Sequence, residues 1–508
     1  MLRKISILLI VLSLAGGISH AFNWALPSLR WFFEFGDIYG YVIMTVAFLG
    51  GLMMLLRGEK DIHWKPMTLR KFQRFKSIRR GHVALMIFVG LIGVAMLDQA
   101  LVGKRALIVK YKGEWYFPAF KQGQFSGTEF GQEQESEASY RDLKKDWKAK
   151  GGSDWVLMPL VPWGPVLDSQ DLMRVSVDKG DDGKYYRADQ SSPYSGLAYT
   201  YYTDKPDQRH MMYKFRKGHQ KGRCEGYSID GDPVMREMWD KGVRTSRKLL
   251  GDLSEEQFDG ASVTSLDTVL YPALKPDMGN SHYLGTDSKG WDILATLYGG
   301  FQVVLKAAVL YLSVSYLVGL SIGCMMGYFG GKFDMITQRF IEILANIPFL
   351  FVVMIINNRL EPEQRTIGVI VGVMCIFSWI GMTYYMRTAT YREKARDYVS
   401  ASKLLGASTP RMIFQHILPN VLSTIVTLVP FSFAAVIASL TALDFIGFGL
   451  PENYPSWGRT LSDGVANLDA PWIVTSVFAG MVILLLLITF IGEAVREAFD
   501  PKKFTYYK

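Results

Sequence analysis

YREKARDYVSASKLLGASTPRMIFQHILPN, Tyr391–Asn420, reads as a basic loop built of two short helices around a glycine. Tyr398 to Leu405 has helix-compatible spacing, Gly406 supplies a C-terminal stop, Thr409 can cap the next helix and Pro410 suits its first position. Val399, Leu404, Leu405, Met412, Ile413 and Ile417 are expected to form one apolar face, on a loop that otherwise carries Arg392, Lys394, Arg396, Lys403 and Arg411. Two physical readings fit this pattern: a helix lying at a membrane surface, or a docking element for a cytoplasmic partner.

The flanks of the loop favour a membrane protein. A bilayer core about 30 Å thick needs roughly 20 apolar residues, and eight segments qualify: Ile5–Ala21, Ile38–Leu56, Val83–Val102, Phe301–Phe329, Phe340–Ile356, Ile367–Met386, Val421–Ala442 and Pro471–Gly492. The first has a second reading as a signal peptide, with a basic start, a short apolar centre and a small-residue S-H-A end. Lys and Arg near span ends set the orientation. Arg57, Lys60, Lys65, Arg70, Lys71, Arg74, Lys76, Arg79 and Arg80 face only Glu59 and Asp61, so that loop is expected in the cytoplasm, touching membrane lipid. Counting onward puts 103–300 outside, 387–418 inside and both termini in the cytoplasm, in agreement with the basic content of the second loop.

Composition agrees. The 508 residues are 49% hydrophobic and 20% charged, which excludes a disordered chain or a small disulfide scaffold. The net charge of +9 is concentrated in loops beside spans, a topology signal rather than a nucleic-acid patch. Three scattered cysteines make neither a disulfide framework nor a zinc site. No G-x-x-x-x-G-K-[ST] loop is present to hold a nucleotide, so energy from ATP must enter through another chain. The long polar stretch before Phe301 reads as an inserted α+β domain: ALIVKYKGEWYF and SGLAYTYYTD alternate as strands, while DPVMREMWDKGVRTSRKLLGDLSEEQF has helical spacing, with Met235, Met238, Trp239, Val243 and Leu249 on an approximate stripe. Its histidines are expected at the surface rather than on a metal.

The loop resembles that of bacterial ABC importer permeases, whose pattern is E-A-A, three residues, Gly, nine residues, I-x-L-P. Gly406, Leu418 and Pro419 fall on the glycine and the L-P pair, and Ser400, Ala401 and Ser402 on E-A-A, with Ser400 in place of the acid and His416 in place of the isoleucine. HYLGTDSKGWDILATLYGG, from His282, is similar to a segment of the dipeptide and oligopeptide permeases and contributes Gly285, Thr286, Asp287, Gly290 and Asp292. TALDFIGFGLPENYPSWGRTLSDG, from Thr441, is similar to another and contributes Gly447, Gly449, Pro455, Ser456, Trp457 and Gly458. IRRGHVALMIF, VKYKGEWYFPAF and FIGEAVREAFDPK add to a likeness with the second permeases associated with microcin C and longer peptides.

The resemblance implies an all-α polytopic membrane protein, a type I ABC importer permease-like helical bundle of the bacterial inner membrane, with an inserted α+β periplasmic domain. Five parts are expected: extra N-terminal spans over 1–60, a basic segment and first family span over 61–102, a periplasmic domain over 103–300, a five-span core over 301–492 and a tail over 493–508. The implied partners are a homologous second permease subunit, cytoplasmic ABC ATPase subunits and a periplasmic substrate-binding protein; no cofactor is bound directly, and ATP is used by the partner. No catalytic residue is expected. The external domain is read as docking the binding protein, with Tyr185, Tyr186, Tyr194, Tyr199, Tyr201 and Tyr202 supplying contact area, or as an inert cap. Glu342 is expected to bond Arg339 or a neighbouring subunit, and small residues such as Ser315, Gly319 and Gly323 to pack helices or line a path. The competing classes are a membrane receptor with a periplasmic sensor domain and an ion-coupled secondary transporter.

Overall fold

The structure, a computed structural model, describes residues 2–24, 26, 29, 37–56, 66–132, 136–151, 153–168, 173–188, 192–205, 208–250, 255–270, 273–279, 281–360 and 364–499. Two compact units are seen: one combines 1–168, 275–287 and 291–508, the other 169–274 with 288–290. Arg57, Lys60, Lys65 and the tail beyond Phe499 lie outside the described residues.

The first unit opens with α1 (Leu2–Ala21), α2 (Asp37–Leu56), α3 (Pro66–Ser77) and α4 (Arg79–Ala95). Helices α1 and α2 pack through small residues, Gly16 against Met44 and Gly51 against Ile10. Helix α3, basic and amphipathic, meets α4 at 94° and sets Phe75 against Ala494 and Ala498. Next come strands β1 (Ile108–Tyr111) and β2 (Glu114–Tyr116), helix α5 (Tyr140–Lys150) and strand β3 (Trp155–Leu157), the strands forming a sheet in the order β2-β1-β3. Asn23, after α1, accepts from the Gln122 N–H at 3.0 Å, which places the end of α1 on the same side as this sheet.

In the second unit, β4 (Met173–Lys179), β5 (Tyr185–Arg187), β6 (Gly196–Tyr201), β7 (Arg209–Arg216), β8 (His219–Gln220), β9 (Gly222–Tyr227), β10 (Pro233–Asp240), β11 (Val243–Leu249), helix α6 (Glu255–Asp259) and β12 (Asp267–Leu270) follow in sequence. The strands form an antiparallel sheet, β11-β10-β9-β7-β6-β12-β4-β5, with β8 on β7. The expected helix over 232–258 is corrected to the β10–β11 hairpin. Its turn is Lys241-Gly242, with φ of +49° and +84°; both values belong to the tight turn whose twist matches a hairpin. Alternation holds along β10, where Met235 is fully buried and Met238 is 42% exposed. The expected tyrosine surface is also corrected in part. Tyr194, Tyr201 and Tyr202 are buried, Tyr194 and Tyr202 each donating to a backbone carbonyl at 2.7 Å, and Tyr185 packs on the core. His210 and His282 are buried, not at the surface.

The remaining helices are α7 (Ile293–Phe329), α8 (Gly331–Ala345), α9 (Phe349–Arg359), α10 (Ile367–Lys394), α11 (Asp397–Leu404), α12 (Thr409–Arg411), α13 (Leu418–Ile425), α14 (Val429–Phe445), α15 (Trp457–Ala466) and α16 (Pro471–Phe499). By length and composition α7, α10 and α16 can each cross a membrane, as can the bent pairs α3/α4 and α8/α9; α1, α2 and α14 contain shorter apolar stretches. The span expected over Phe340–Ile356 is therefore two helices bent by 64° at Asn346–Pro348, because proline ends the hydrogen-bond ladder there. Phe301, Val304, Ile370, Met374, Ile437, Leu440, Val477 and Leu484 form part of the largest core, drawn from α7, α10, α14 and α16. Gly319 and Gly323 let α7 approach α10: a Cβ at Gly323 would lie 2.5 Å from the Thr383 carbonyl oxygen. Ser315 donates to the Ser378 carbonyl at 2.9 Å, so these three small residues serve helix packing. Glu342 accepts from Arg339 at 2.6 Å, the expected bond.

Candidate coupling loop and outer motif site

Helix α11 ends in a six-residue closure. Gly406, at φ +80°, donates to the Lys403 carbonyl at 3.0 Å, and Ala407 donates to Ser402 at 3.1 Å. This pair of bonds satisfies the last carbonyls of a helix and needs a left-handed residue at the glycine position. Ser408, not Thr409, is the N-terminal flanking residue of α12, which puts Pro410 second in the helix; the extended backbone turns one residue earlier than expected. Met412–Ile417 then continues as a π-turn into α13.

The predicted apolar face divides in two, a correction. Val399, Met412 and Ile417 are buried against Cys324, Met386, Val421 and Ile425, and Ile413 packs beside them. Leu404 and Leu405 are 89% and 88% exposed, because helix α11 turns them away from that core at its far end. Ser400, Ala401 and Gly406 are exposed near this tip and Ser402 is half-buried; Leu418 packs at the base, with Pro419 exposed beside it. The six residues are thus a tip and a root rather than one patch.

Polar ties hold the loop at its root. Glu393, buried, accepts from Tyr398 at 2.9 Å and pairs with Arg396 at 3.2 Å, and Asn420 donates to the Tyr398 hydroxyl at 2.9 Å. Burial, with Glu393 accepting its proton, pushes the Tyr398 phenol up. Lys394 caps the Tyr328 carbonyl at 2.5 Å, and Arg387 grips Asp334 through two bonds of 2.5 and 2.6 Å. The ties of Lys394 to Tyr328, Arg387 to Asp334 and Asn420 to Tyr398 join different helices and are not apparent from spacing.

At the other motif, Asp292 caps α7 by accepting from the Ala295 N–H at 2.7 Å, while its second oxygen lies 2.8 Å from His282 Nδ1. His282 stacks on Trp163 at 4.2 Å, and the Arg141 guanidinium lies 4.0 Å from the same ring. Two groups that close to one ring centre must occupy opposite faces. Arg141 then grips Asp168 at 2.5 and 2.7 Å. Gly285 and Gly290 have φ of +80° and +75°, Asp287 accepts from the Trp291 N–H at 2.9 Å, and the Thr286 carbonyl receives Trp472 at 3.0 Å.

The second segment closes over the first. Asp444 accepts from Leu450 N–H at 2.6 Å and from Ser456 at 2.5 Å, and Trp457 donates to the Leu297 carbonyl at 2.9 Å. A Cβ at Gly299 would come within 2.7 Å of both Pro165 and Pro455, and one at Gly449 or Gly458 would enter the Asp444 carboxylate or the Thr441 carbonyl. Gly447, at φ +82°, turns the chain after α14. The motif residues are therefore brought together, and the carboxylates of Asp292 and Asp444 are tied within the chain, while the buried His282 Nε2 and Thr441 Oγ1 have no hydrogen-bond partner among the described residues. Among the described residues no His, Cys, Asp and Glu group has the arrangement of a metal site.

Residues 319–505 match the family described as binding-protein-dependent transport system inner membrane component. The chain is 34% identical over 228 residues to the oligopeptide transport system permease protein OppC of Escherichia coli K12, covering 45% of this chain and 74% of that one. The same comparison with OppC of Haemophilus influenzae gives 32% over 228 residues, 45% and 72%. The chain belongs to the ABC importer permeases of the dipeptide and oligopeptide type.

Longer likenesses extend beyond that core. The inner membrane ABC transporter permease protein YejE of E. coli K12 is 28% identical over 440 residues, 86% of this chain and 98% of that one. The peptidoglycan transport system permease protein YejE of Agrobacterium fabrum is 28% identical over 464 residues, 91% and 99%. Membership in this permease family removes the receptor and the secondary transporter as classes for the chain. The exposed leucine tip, read in the sequence only as part of a face, is the residue pair that reasoning from periodicity missed.

Proposed function

We propose that this permease subunit carries peptides or peptide-like compounds across the bacterial inner membrane, with ATP hydrolysed by a partner ATPase that grips the Leu404–Leu405 tip. The observation that carries this reading is the contrast within one loop: a root packed like a core and two leucines at its tip almost fully exposed. Burying a leucine contributes roughly 1.5–3 kcal/mol, so a cleft that took both would gain several kcal/mol from a rigid lever. Ser400, Ala401, Ser402 and Gly406 shape the tip; Leu418 and Pro419 pass its movement to α13 and α14.

In this reading 387–418 and both termini are cytoplasmic, α3 lies on anionic lipid, and 103–300 is periplasmic, where the chain meets a substrate-binding protein. A homologous second permease completes the pathway. The test is Leu404→Asp with Leu405→Asp in the reconstituted transporter. The expected result is normal insertion and basal folding with loss of binding-protein-stimulated ATP hydrolysis and uptake; normal uptake rejects the docking assignment. Labelling from outside should modify a cysteine placed at Gly180 and spare one at Ser77; the reverse pattern rejects the orientation.

A further inference from the structure

The strand register of the second unit sorts its residues onto two faces. Residues directly opposite each other on neighbouring strands share a face. Pairings Asp267 with Tyr199, Tyr199 with Met212, Met212 with Glu225, Glu225 with Arg236 and Arg236 with Lys248 therefore draw one continuous row across six strands. Every member of that row is half-buried or exposed. The adjacent positions point the other way, and Thr268, Ala198, Met211, Cys224 and Met235 are buried to 4% exposure or less. One face is the core of the unit; the other carries no apolar cluster.

That second face is rich in arginine and tyrosine. The exposed Arg174 guanidinium covers the buried Tyr201 ring at 4.0 Å, and the exposed Arg209 lies 4.5 Å from the half-buried Tyr199. An arginine stacked on an aromatic ring has little rotamer freedom left to lose on binding, and Arg and Tyr are the residue types over-represented at the energetic centres of protein interfaces. Lys214, Arg223, Arg236 and Lys248 extend the positive charge along the sheet. Of the carboxylates on this face, Glu225 is already held by Arg223, Arg236 and Tyr227, and Asp178 and Asp267 accept from Ser176 and Ser265. With strands about 4.8 Å apart and about 3.3 Å per residue, the face covers roughly 600 Å². That is most of the about 800 Å² per partner of a standard protein interface, and far more than a small ligand needs.

We propose that this arginine–tyrosine sheet face is the docking surface for a folded protein bearing a carboxylate-rich patch, the substrate-binding protein that delivers to the permease. The proposal rests on the periplasmic placement of 103–300 and adds the face and the charge of the partner. Opposite charge across the contact steers association and makes it sensitive to salt.

The test uses the full-length chain assembled with its partner subunits in nanodiscs and the transporter's own purified substrate-binding protein. Two double variants, Arg174→Glu with Arg209→Glu and Lys214→Glu with Lys248→Glu, should each weaken binding tenfold or more at 50 mM salt and leave basal ATP hydrolysis unchanged. Lys144→Glu with Lys145→Glu, on α5, should bind as the parent does. Parent binding should weaken steeply as salt rises to 500 mM. The lysine pair is exposed, so its variant tests the face even if the arginine pair disturbs folding. Parent-like binding by the lysine variant, or binding indifferent to salt, overturns the proposal. Replacing 169–274 by a short Gly/Ser link separates the two levels. If that deletion abolishes binding while the charge reversals do not, the face assignment alone fails; if the deletion leaves binding intact, docking on this unit fails altogether.

Discussion

The two motif-bearing regions of this chain use their residues in opposite ways. At the His282 and Thr441 motif segments, Asp292, Asp444, Ser456 and Trp457 each close a bond within the chain, and the glycines bring backbones to contact distance. In the Tyr391–Asn420 loop the root is just as fixed, yet Leu404 and Leu405 are almost fully exposed. A motif whose carboxylates and indoles are tied within the chain holds a shape; one that leaves apolar side chains exposed at the end of a rigid helix offers them to something else. A recurring sequence pattern alone does not distinguish the two.

The contrast can be broken most forcefully at the outer motif. Gly458→Ala forces a methyl group into the Thr441 carbonyl, and neither backbone can yield cheaply. Overpacking of this kind costs about 3 kcal/mol, so the variant should melt far below the parent in detergent and accumulate poorly in membranes. A parent-like melting temperature would mean the two segments are not locked together.

At the loop a substitution should act on function with a smaller effect on stability. Gly406 has open space around its Cβ position but a φ of +80°, so conformation rather than volume restricts it. Gly406→Asn, which tolerates that region, should retain most uptake; Gly406→Val should lose about 1–2 kcal/mol locally and most uptake with it. Equal behaviour of the two would show that the turn does not matter.

The smallest effect expected is a pH dependence confined to the second unit. Burial, with Glu237 nearby, pushes the Tyr213 phenol up to about 12. The unfolded chain releases that proton near pH 10, as an ordinary tyrosine does. Between pH 10 and 12 the folded state therefore holds the proton that the unfolded state has lost, and stability falls as pH rises through that window. Tyr213→Phe should flatten this part of the melting-temperature profile, read from the isolated transition of the sheet.

Much of this contrast was legible beforehand. The helix-glycine-helix of the loop follows from Gly406 and Pro410, and the apolar segments follow from length. The β10–β11 hairpin was also within reach. Lys112-Gly113 in KYKGEW and Lys241-Gly242 form turns of the same kind, with positive φ at both residues, and alternation reveals strands only around the first. The stripe Met235, Met238, Trp239 imitates a helical period, but Met235 and Trp239, four residues apart, share the core-facing side of β10 and Met238 points the other way. The outer network was beyond sequence reading, since Arg141, Trp163 and His282 meet only through the fold. So was the division of the loop's apolar face, which depends on where α11 ends relative to α10 and α13.

The most direct measurement is site-specific photo-crosslinking in inner-membrane vesicles holding the assembled transporter. A photoreactive residue at Leu405 should capture the ATPase subunit in high yield, and one at Leu317, 72% exposed on the flank of α7, should not. Capture at neither position, or equally at both, would contradict the assignment of the leucine tip as the point where ATP hydrolysis enters this permease.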